Sequence, residues 1–158
     1  MERLDIYEGL KFEESIIKEE FHTYCPRADN FNLNDEIRIS IKNQDIYTVP
    51  AASYIYVEGK FKEDEDGTGT CELTNNSYAF LFDQIRYELN GVEVDRCNKP
   101  GITSILKALI FYNKNESTSL QMAGWYPFEG HHRQPTLSNQ QFACVIPLNF
   151  LLGFAEDY

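Results

Sequence analysis

The sequence lacks the short motifs that mark most catalytic and metal sites. It contains no C-x-x-C pair, no H-E-x-x-H, no G-x-S-x-G and no glycine-rich phosphate loop. These absences remove the usual signatures of zinc sites, metalloproteases, serine hydrolases and nucleotide-binding enzymes. No cysteine sits in a recognisable nucleophile signature either. We therefore expect a protein that is not an enzyme and that carries no cofactor and no metal.

Positive charge and long apolar runs are also scarce. Fourteen Lys and Arg stand against 25 Asp and Glu, which gives a net charge of −11. This balance argues against direct binding to nucleic acid, and it disfavours docking on anionic membranes. No apolar run approaches the roughly 20 residues that cross a bilayer. The charged start, Met1 to Asp5, is unlike a secretory signal peptide.

The same features set an expected location. Without a signal peptide, the four widely spaced cysteines are expected to be free thiols in a reducing compartment. The location expected from these features is therefore the interior of a cell, with no secretion. A length of 158 residues with 42% hydrophobic residues fits one domain with its own core. Ten Tyr and eleven Phe favour sheet over a helix bundle.

The clearest local signal is a β-hairpin with an Asn90-Gly91 turn. An unbroken ladder from this turn predicts three facing pairs and one like-charge pair on a face open to water. The facing pairs are Leu89 with Val92, Tyr87 with Val94, and Arg86 with Asp95, and the like-charge pair is Glu88 with Glu93.

Period-two alternation predicts further strands. Ile37, Ile39 and Ile41 alternate with polar residues, which is typical of a half-buried strand. Strands are also predicted over 54–61 and 142–146, and residues 78–82 are predicted to enter the hairpin as a strand. Residues 1–34 have no sustained periodicity and are interpreted as an N-terminal arm. The domain proper is therefore placed at 35–158.

Helical spacing appears after the hairpin. Pro100 suits a first helical position, and an apolar stripe follows at Ile102, Ile105, Leu106 and Leu109. A second short helix is predicted over 116–122, closed by Gly124, and a short helical piece is predicted near 147–154. Residues 125–140 carry prolines, glycines and polar residues, which predicts a long irregular loop.

Two stretches contain residue types that often bind metal ions, but the spacing of their residues does not suit a metal site. The acidic loop at 63–69 would place Lys62 and Leu73 at the first and last ligand positions of an EF-hand, and neither residue can bind calcium there. His131 and His132 are adjacent, so in extended chain their side chains point in opposite directions. Both stretches are expected to be solvated loop surface.

Several segments in series resemble a known family. They are YVEGK, FLFDQIRYELNGVEVDR, GITSILK and the terminal PLNFLLGF. Together they resemble the double jelly-roll proteins related to the major capsid proteins of Polinton/Maverick elements and adintoviruses, many of which occur as endogenous copies in arthropod genomes. The resemblance runs from Leu4 to Tyr158.

The resemblance implies an all-β, antiparallel jelly-roll sandwich with one or two inserted short helices. It also implies a self-assembling structural subunit, without an active site, whose homo-oligomer is a trimeric capsomer, and it adds the virion to the expected locations. In the family more strands follow the terminal helix, so the chain is expected to hold only the first, incomplete jelly roll. Exposed sheet edges and apolar surface would then need cover from other chains.

The residues expected to make such contacts are aromatic. The candidates for contact with another subunit or a partner are Trp125, Tyr126, Phe128, Tyr54 and Tyr56. The loop that begins at Trp125 has an ordinary surface loop as its alternative interpretation. The alternative function is a host-retained jelly-roll relic that binds a protein or glycan, with the aromatic residues of that loop as contacts.

Overall fold

The computed structural model describes residues 16–32, 34–42, 46–60, 73–127 and 141–157. The chain divides into two compact units, Met1–Tyr47 and Thr48–Tyr158. The domain boundary that the sequence suggests, between residues 34 and 35, stays a prediction. The predicted acidic loop, Phe128 and the paired histidines lie outside the described residues.

The described part of the first unit contains no helix and no strand. Ile37, Ile39 and Ile41 are 43–51% exposed, so the predicted half-buried strand over them is wrong. Alternation constrains only where side chains would point, whereas a strand also needs a hydrogen-bonded neighbour. Within the described ranges, strand pairing is confined to the second unit.

The second unit combines short helices with two antiparallel strand pairs. Its strands are β1 (Tyr54–Lys60), β2 (Gln84–Leu89), β3 (Val92–Asn98) and β4 (Gln141–Pro147). Its α-helices are α1 (Pro100–Phe111), α2 (Lys114–Ser119), α3 (Leu148–Leu151) and α4 (Phe154–Asp157). Short 3₁₀ helices span Pro50–Ala52, Ser77–Leu81 and Leu120–Ala123.

Strand β1 pairs with β4, far along the chain. The register places Ile55 opposite Ile146, Val57 opposite Cys144, and Gly59 opposite Phe142. The partners on β4 are buried and those on β1 are half-buried, so this face of the pair covers the core. An ideal Cβ on Gly59 would lie 2.5 Å from the Phe142 ring, so the glycine leaves the space that the ring fills.

The predicted hairpin forms, but its ladder is interrupted. Leu89 faces Val92 and Glu88 faces Glu93, as predicted. A bulge then shifts the register, so that Tyr87 faces Asp95 and not Val94. The predicted pairs Tyr87 with Val94 and Arg86 with Asp95 are therefore wrong. A bulge adds one residue to one strand and re-aims the side chains that follow it.

The bulge directs Asp95 to the C-terminal helices. Its Oδ2 accepts a hydrogen bond of 2.9 Å from the backbone N–H of Phe154, which begins α4. Tyr87, opposite Asp95, stacks on the Phe154 ring with centroids 5.2 Å apart. The hairpin is thus joined to the end of the described chain by a charge-assisted hydrogen bond and by an aromatic contact.

The segment before the hairpin is a 3₁₀ helix, not the strand that was predicted over 78–82. Tyr78 and Ala79 are buried in the core, while Phe80 is 52% exposed. Asn76 precedes this helix at φ +60°, a left-handed conformation that asparagine tolerates better than most residues. The left-handed conformation of Asn76 starts the 3₁₀ helix Ser77–Leu81. The run of apolar residues in this segment had favoured an extended strand.

The core lies among the 3₁₀ helix at Ser77–Leu81, the helices and β4. Phe150, Ile146 and Leu152 are its largest fully buried apolar side chains. Tyr78 stacks on Phe142 with ring centroids 5.7 Å apart, and Tyr112 meets Phe150 edge-on. The predicted final strand and the predicted short helical piece after it are confirmed as β4 and α3.

Candidate interaction surface

Helix α1 begins where the hairpin ends, and its start is fixed by local chemistry. Lys99 lies at φ +56° and its backbone N–H donates to the carbonyl oxygen of Asp83 at 2.8 Å. The Lys99 ammonium also pairs with the Asp83 carboxylate. Pro100 occupies the first turn, as predicted, where a missing N–H breaks no helical hydrogen bond.

The inward face of α1 is built from small residues. Gly101, Ser104 and Ala108 are buried. An ideal Cβ on Gly101 would lie 2.5 Å from the Phe80 ring, so glycine permits the aromatic ring to lie against the helix backbone. Small residues at this spacing let α1 approach its neighbours closely. The spacing of these small residues is visible in the sequence, but the larger apolar residues of the helix were taken as the buried face instead.

A buried hydrogen-bond network holds this face in place. Asn76 Nδ2 donates to the Gly101 carbonyl at 3.1 Å and to Ser104 Oγ at 2.8 Å. Ser104 Oγ in turn donates to the Gly101 carbonyl at 3.1 Å. The Asn76 backbone N–H donates to the Gly124 carbonyl at 2.7 Å. One asparagine therefore ties α1 to the turn that follows the last 3₁₀ helix.

The apolar stripe that the sequence predicts lies mainly on the outside. Ile102 and Leu106 are each 55% exposed, and Leu109 and Ile110 are 63% and 71% exposed. Only Ile105 of the predicted stripe packs against the core. We call Ile102, Leu106, Leu109 and Ile110 the α1 outer face. At about 100° per residue these four side chains span an arc of about 100°.

An arc of this width is what a surface helix ordinarily buries. On α1 it stays in contact with solvent, while small residues make the internal packing. Single exposed apolar residues are common on protein surfaces, whereas several that adjoin one another often mark an interaction site. The α1 outer face is therefore the strongest candidate surface for contact with another protein.

The aromatic residues predicted as contacts are distributed over different environments. Tyr54 and Tyr56 lie on the outward face of β1 and are 57% and 62% exposed. The Tyr56 hydroxyl donates to Glu58 Oε2 at 2.8 Å, and this hydrogen bond raises the pKa of Tyr56 above its ordinary value. Their role in contacts stays a prediction.

The other predicted contacts lie at the turn after the last 3₁₀ helix. Trp125 is only 5% exposed and belongs to the core cluster, and Tyr126 is half-buried. Phe128 lies outside the described residues. The structure thus brings Trp125 and Tyr126 together in one turn, but the tryptophan contributes little accessible surface. Their role in contacts stays a prediction as well.

The described side chains contain no cluster of three or more His, Cys, Asp or Glu that could hold a metal ion. The three described cysteines, Cys25, Cys97 and Cys144, form no disulfide. Burial raises the pKa of the Cys144 thiol from its ordinary 9.0 to about 11, because the apolar surroundings disfavour the charged thiolate. Among the described helices, none has the length and apolar character to cross a membrane.

The antiparallel strand pairs with short helices between them fit a jelly-roll class of protein, and a family comparison identifies that class. The family model described as the double jelly roll-like domain matches residues 71–158, more than half of the chain. The chain therefore belongs to the double jelly roll-like domain family. The predicted fold class, an antiparallel jelly-roll sandwich with inserted short helices, is confirmed. No curated protein and no solved structure matched the chain.

Proposed function

We propose that this protein is a structural, self-assembling subunit of the capsid type, related to the Polinton/Maverick and adintovirus capsid proteins or derived from a genome-integrated copy. Membership of the double jelly roll-like family supports a capsid-type fold. The observation that carries the proposal further is the exposed α1 outer face. The proposed role requires no catalysis and no cofactor, and it places the protein in a virion or inside a cell.

The proposed assembly is a homo-oligomer, with a trimer as the form that the family resemblance implies. Burying an exposed apolar side chain of the size of leucine contributes about 1.5–3 kcal/mol. The four side chains of the α1 outer face therefore offer a substantial driving force for contact between copies. Tyr54 and Tyr56 on β1 add exposed aromatic surface of the kind that is enriched at interfaces.

Light scattering coupled to size exclusion tests this proposal. The wild-type chain should show a mass above that of the monomer, and Leu106→Lys should shift it toward the monomer because a lysine ammonium resists burial. Asn115→Lys on α2 is the matched control, since it adds the same charge at an exposed polar position. A monomeric wild-type chain at micromolar concentration would contradict the proposal.

Negative-stain imaging separates the proposed function from its alternative. Trimers or regular shells would support a capsid subunit. Small monodisperse particles that bind a protein or glycan would instead support a host-retained binding module. Loss of particles in Leu106→Lys, but not in Asn115→Lys, would place the contact at the α1 outer face.

A further inference from the structure

The outer edge of β1 is open to another strand. Among the described residues β1 pairs with β4 alone, so about half of the backbone N–H and C=O groups of β1 point away from any strand. The side chains also indicate a missing neighbour. On the core side of the pair the β4 residues are buried, whereas Ile55 and Val57 of β1 are only half-buried. A third strand beside β1 would complete both the hydrogen bonding and the apolar cover.

A second segment has the side-chain pattern of such a strand. Residues 36–42, here called the isoleucine segment, carry Ile37, Ile39 and Ile41 between polar side chains, and these isoleucines are 43–51% exposed. Strand pairing within a single copy does not include them in the described ranges. In one copy the segment therefore presents an alternating apolar face that a strand would bury.

Charge favours one antiparallel register between the isoleucine segment and the outer edge of β1. This register sets Ile39 opposite Val57, so the isoleucines extend the core side of the β1–β4 pair. It also brings two pairs of opposite charge together on the water side. These pairs are Arg38 with Glu58 and Glu36 with Lys60. Within the segment, Arg38 Nη2 lies 3.4 Å from Glu36 Oε1, which places both side chains on one face.

Other registers are opposed by charge or by burial. An antiparallel shift of two residues in one direction sets Glu36 opposite Glu58. The same shift in the other direction sets Arg38 opposite Lys60. A parallel strand that aligns all three isoleucines with the core side of β1 sets Lys42 opposite Lys60. Like charges directly opposite each other destabilise a strand pair, and a shift of one residue turns the isoleucines to water.

We propose that the isoleucine segment of one copy adds to the outer edge of β1 of a second copy, as an antiparallel strand in this register. A second copy of the chain carries both the edge and the matching charges. The added strand gains main-chain hydrogen bonds and covers the exposed isoleucines. This contact rests on the proposed self-assembly, since it joins two copies, but it uses a surface distinct from the α1 outer face.

A disulfide trap tests the contact on the full chain. One chain carries Ser40→Cys and a second carries Tyr56→Cys, two positions that face each other in the proposed register. Both chains have serine in place of every cysteine except the buried Cys144. Mild oxidation of the mixture should give a cross-linked dimer of unlike chains. In the control mixture Ile17→Cys, at a position 97% exposed, replaces Ser40→Cys and should give little cross-linking.

Charge reversal tests the register by a second route. Arg38→Glu and Glu58→Arg should each weaken association about fivefold, the ratio that about 1 kcal/mol gives. A mixture of the two variants should recover part of the loss, because opposite charges then face each other between unlike copies. Arg27→Glu is the matched control, at an exposed arginine outside the segment. Sedimentation velocity over a concentration series measures association, and thermal unfolding checks that each variant is folded.

The outcomes distinguish this contact from the proposed function. A wild-type chain that assembles, without cross-linking above the Ile17→Cys control, would overturn the strand contact and leave the proposed function standing. Cross-linking that persists in Leu106→Lys would support the strand contact independently of the α1 outer face. Cross-linking confined to single chains that carry both cysteine substitutions would overturn exchange between copies. No recovery in the mixture of charge-reversed chains would overturn the register.

Discussion

Replacing Asn76 should destabilise the protein through two effects that can be measured separately, the loss of a buried hydrogen-bond network and strain in the backbone. Its side chain is fully buried, donates to two groups of α1, and belongs to a residue in a left-handed conformation. Asn76→Gly removes the side chain but keeps the backbone conformation accessible. Asn76→Ala removes the side chain and also strains the backbone. Comparing the two variants separates the network from the conformation.

The magnitudes follow from the contacts. Each of the two donated hydrogen bonds contributes about 0.5–1.5 kcal/mol net. The unpartnered Oδ1 atom, buried in the wild type, is removed with the side chain and offsets part of the loss. We therefore expect Asn76→Gly to lower the free energy of unfolding by about 1–2 kcal/mol. Asn76→Ala should lower it by about 1 kcal/mol more because of its positive φ.

Urea denaturation at low protein concentration measures both values, provided that the slopes agree. Asn115→Ala, at an exposed position of α2, is the control and should stay within about 0.5 kcal/mol of the wild type. Equal losses in Asn76→Gly and Asn76→Ala would refute the conformational part of the reasoning. A loss below about 0.5 kcal/mol in both would refute the network.

Three further changes test the packing and chemistry of the core. Gly59→Ala should destabilise the protein by about 1–3 kcal/mol in urea, because its Cβ would overlap the Phe142 ring. Lys107→Met should cost about 1–3 kcal/mol, because the ammonium of this largely buried side chain donates to the Asn149 carbonyl and pairs with Glu156. The buried Cys144 thiol should resist thiol reagents until the protein unfolds, since its pKa is raised to about 11.

Each of these changes has a matched control. Gly153→Ala should be nearly neutral, because the nearest atom to its Cβ is 3.9 Å away. Lys114→Met changes an exposed lysine and should also be nearly neutral. In a Cys71→Ser background, the exposed Cys25 should react first. Equal effects in variant and control, or rapid labelling of Cys144 in the folded protein, would contradict these expectations.

The raised pKa of Cys144 also gives a pH dependence with a defined sign. Its ordinary value is 9.0 and its folded value is about 11. The thiol is protonated in both states below pH 9, so its contribution to stability is complete there. As the pH rises from 9 toward 11 the unfolded state loses the proton first, and the free energy of unfolding falls. Cys144→Ala should flatten this alkaline slope, and an unchanged slope would refute the assignment.

Local chemistry made part of the fold predictable. The Asn90-Gly91 turn fixes a hairpin because both residues accept positive φ, and both have it in the structure. Pro100 marks the start of α1 for a similarly local reason. The register beyond the turn was not predictable, because the bulge that places Asp95 opposite Tyr87 is accompanied by a contact with Phe154. That contact joins residues far apart in the sequence.

Two predictions failed because a periodic pattern forms the expected structure only when another segment packs against it or pairs with it. Alternation at Ile37, Ile39 and Ile41 satisfies the periodicity of a strand, but no strand pairing accompanies it among the described residues. The stripe on α1 satisfies the periodicity of a buried face, yet Gly101 and Ala108 make the close packing instead. Periodicity reports which residues share a face, while tertiary contacts decide which face is buried.

The burial of Trp125 was not predictable from the sequence for the same reason. Trp125 was singled out as an exposed aromatic contact, but its burial beside Ser117 depends on how α2 and the following turn pack.

The asparagine cap of α2, in contrast, could have been predicted from the sequence. Asn113 accepts from the backbone N–H groups of residues 115 and 116, and Glu116 accepts from the Asn113 N–H in return.

The pairing of β1 with β4 has a consequence for synthesis of the chain. Even the closest pair in sequence, Lys60 with Gln141, joins residues from opposite ends of the second unit. During synthesis, β1 leaves the ribosomal exit tunnel long before β4 has been translated. Ile55 and Val57 therefore lack their partners on β4 during that time. A nascent chain halted before Gln141 would present an unpaired strand edge to chaperones, and β1 can pair with β4 only after β4 has been translated.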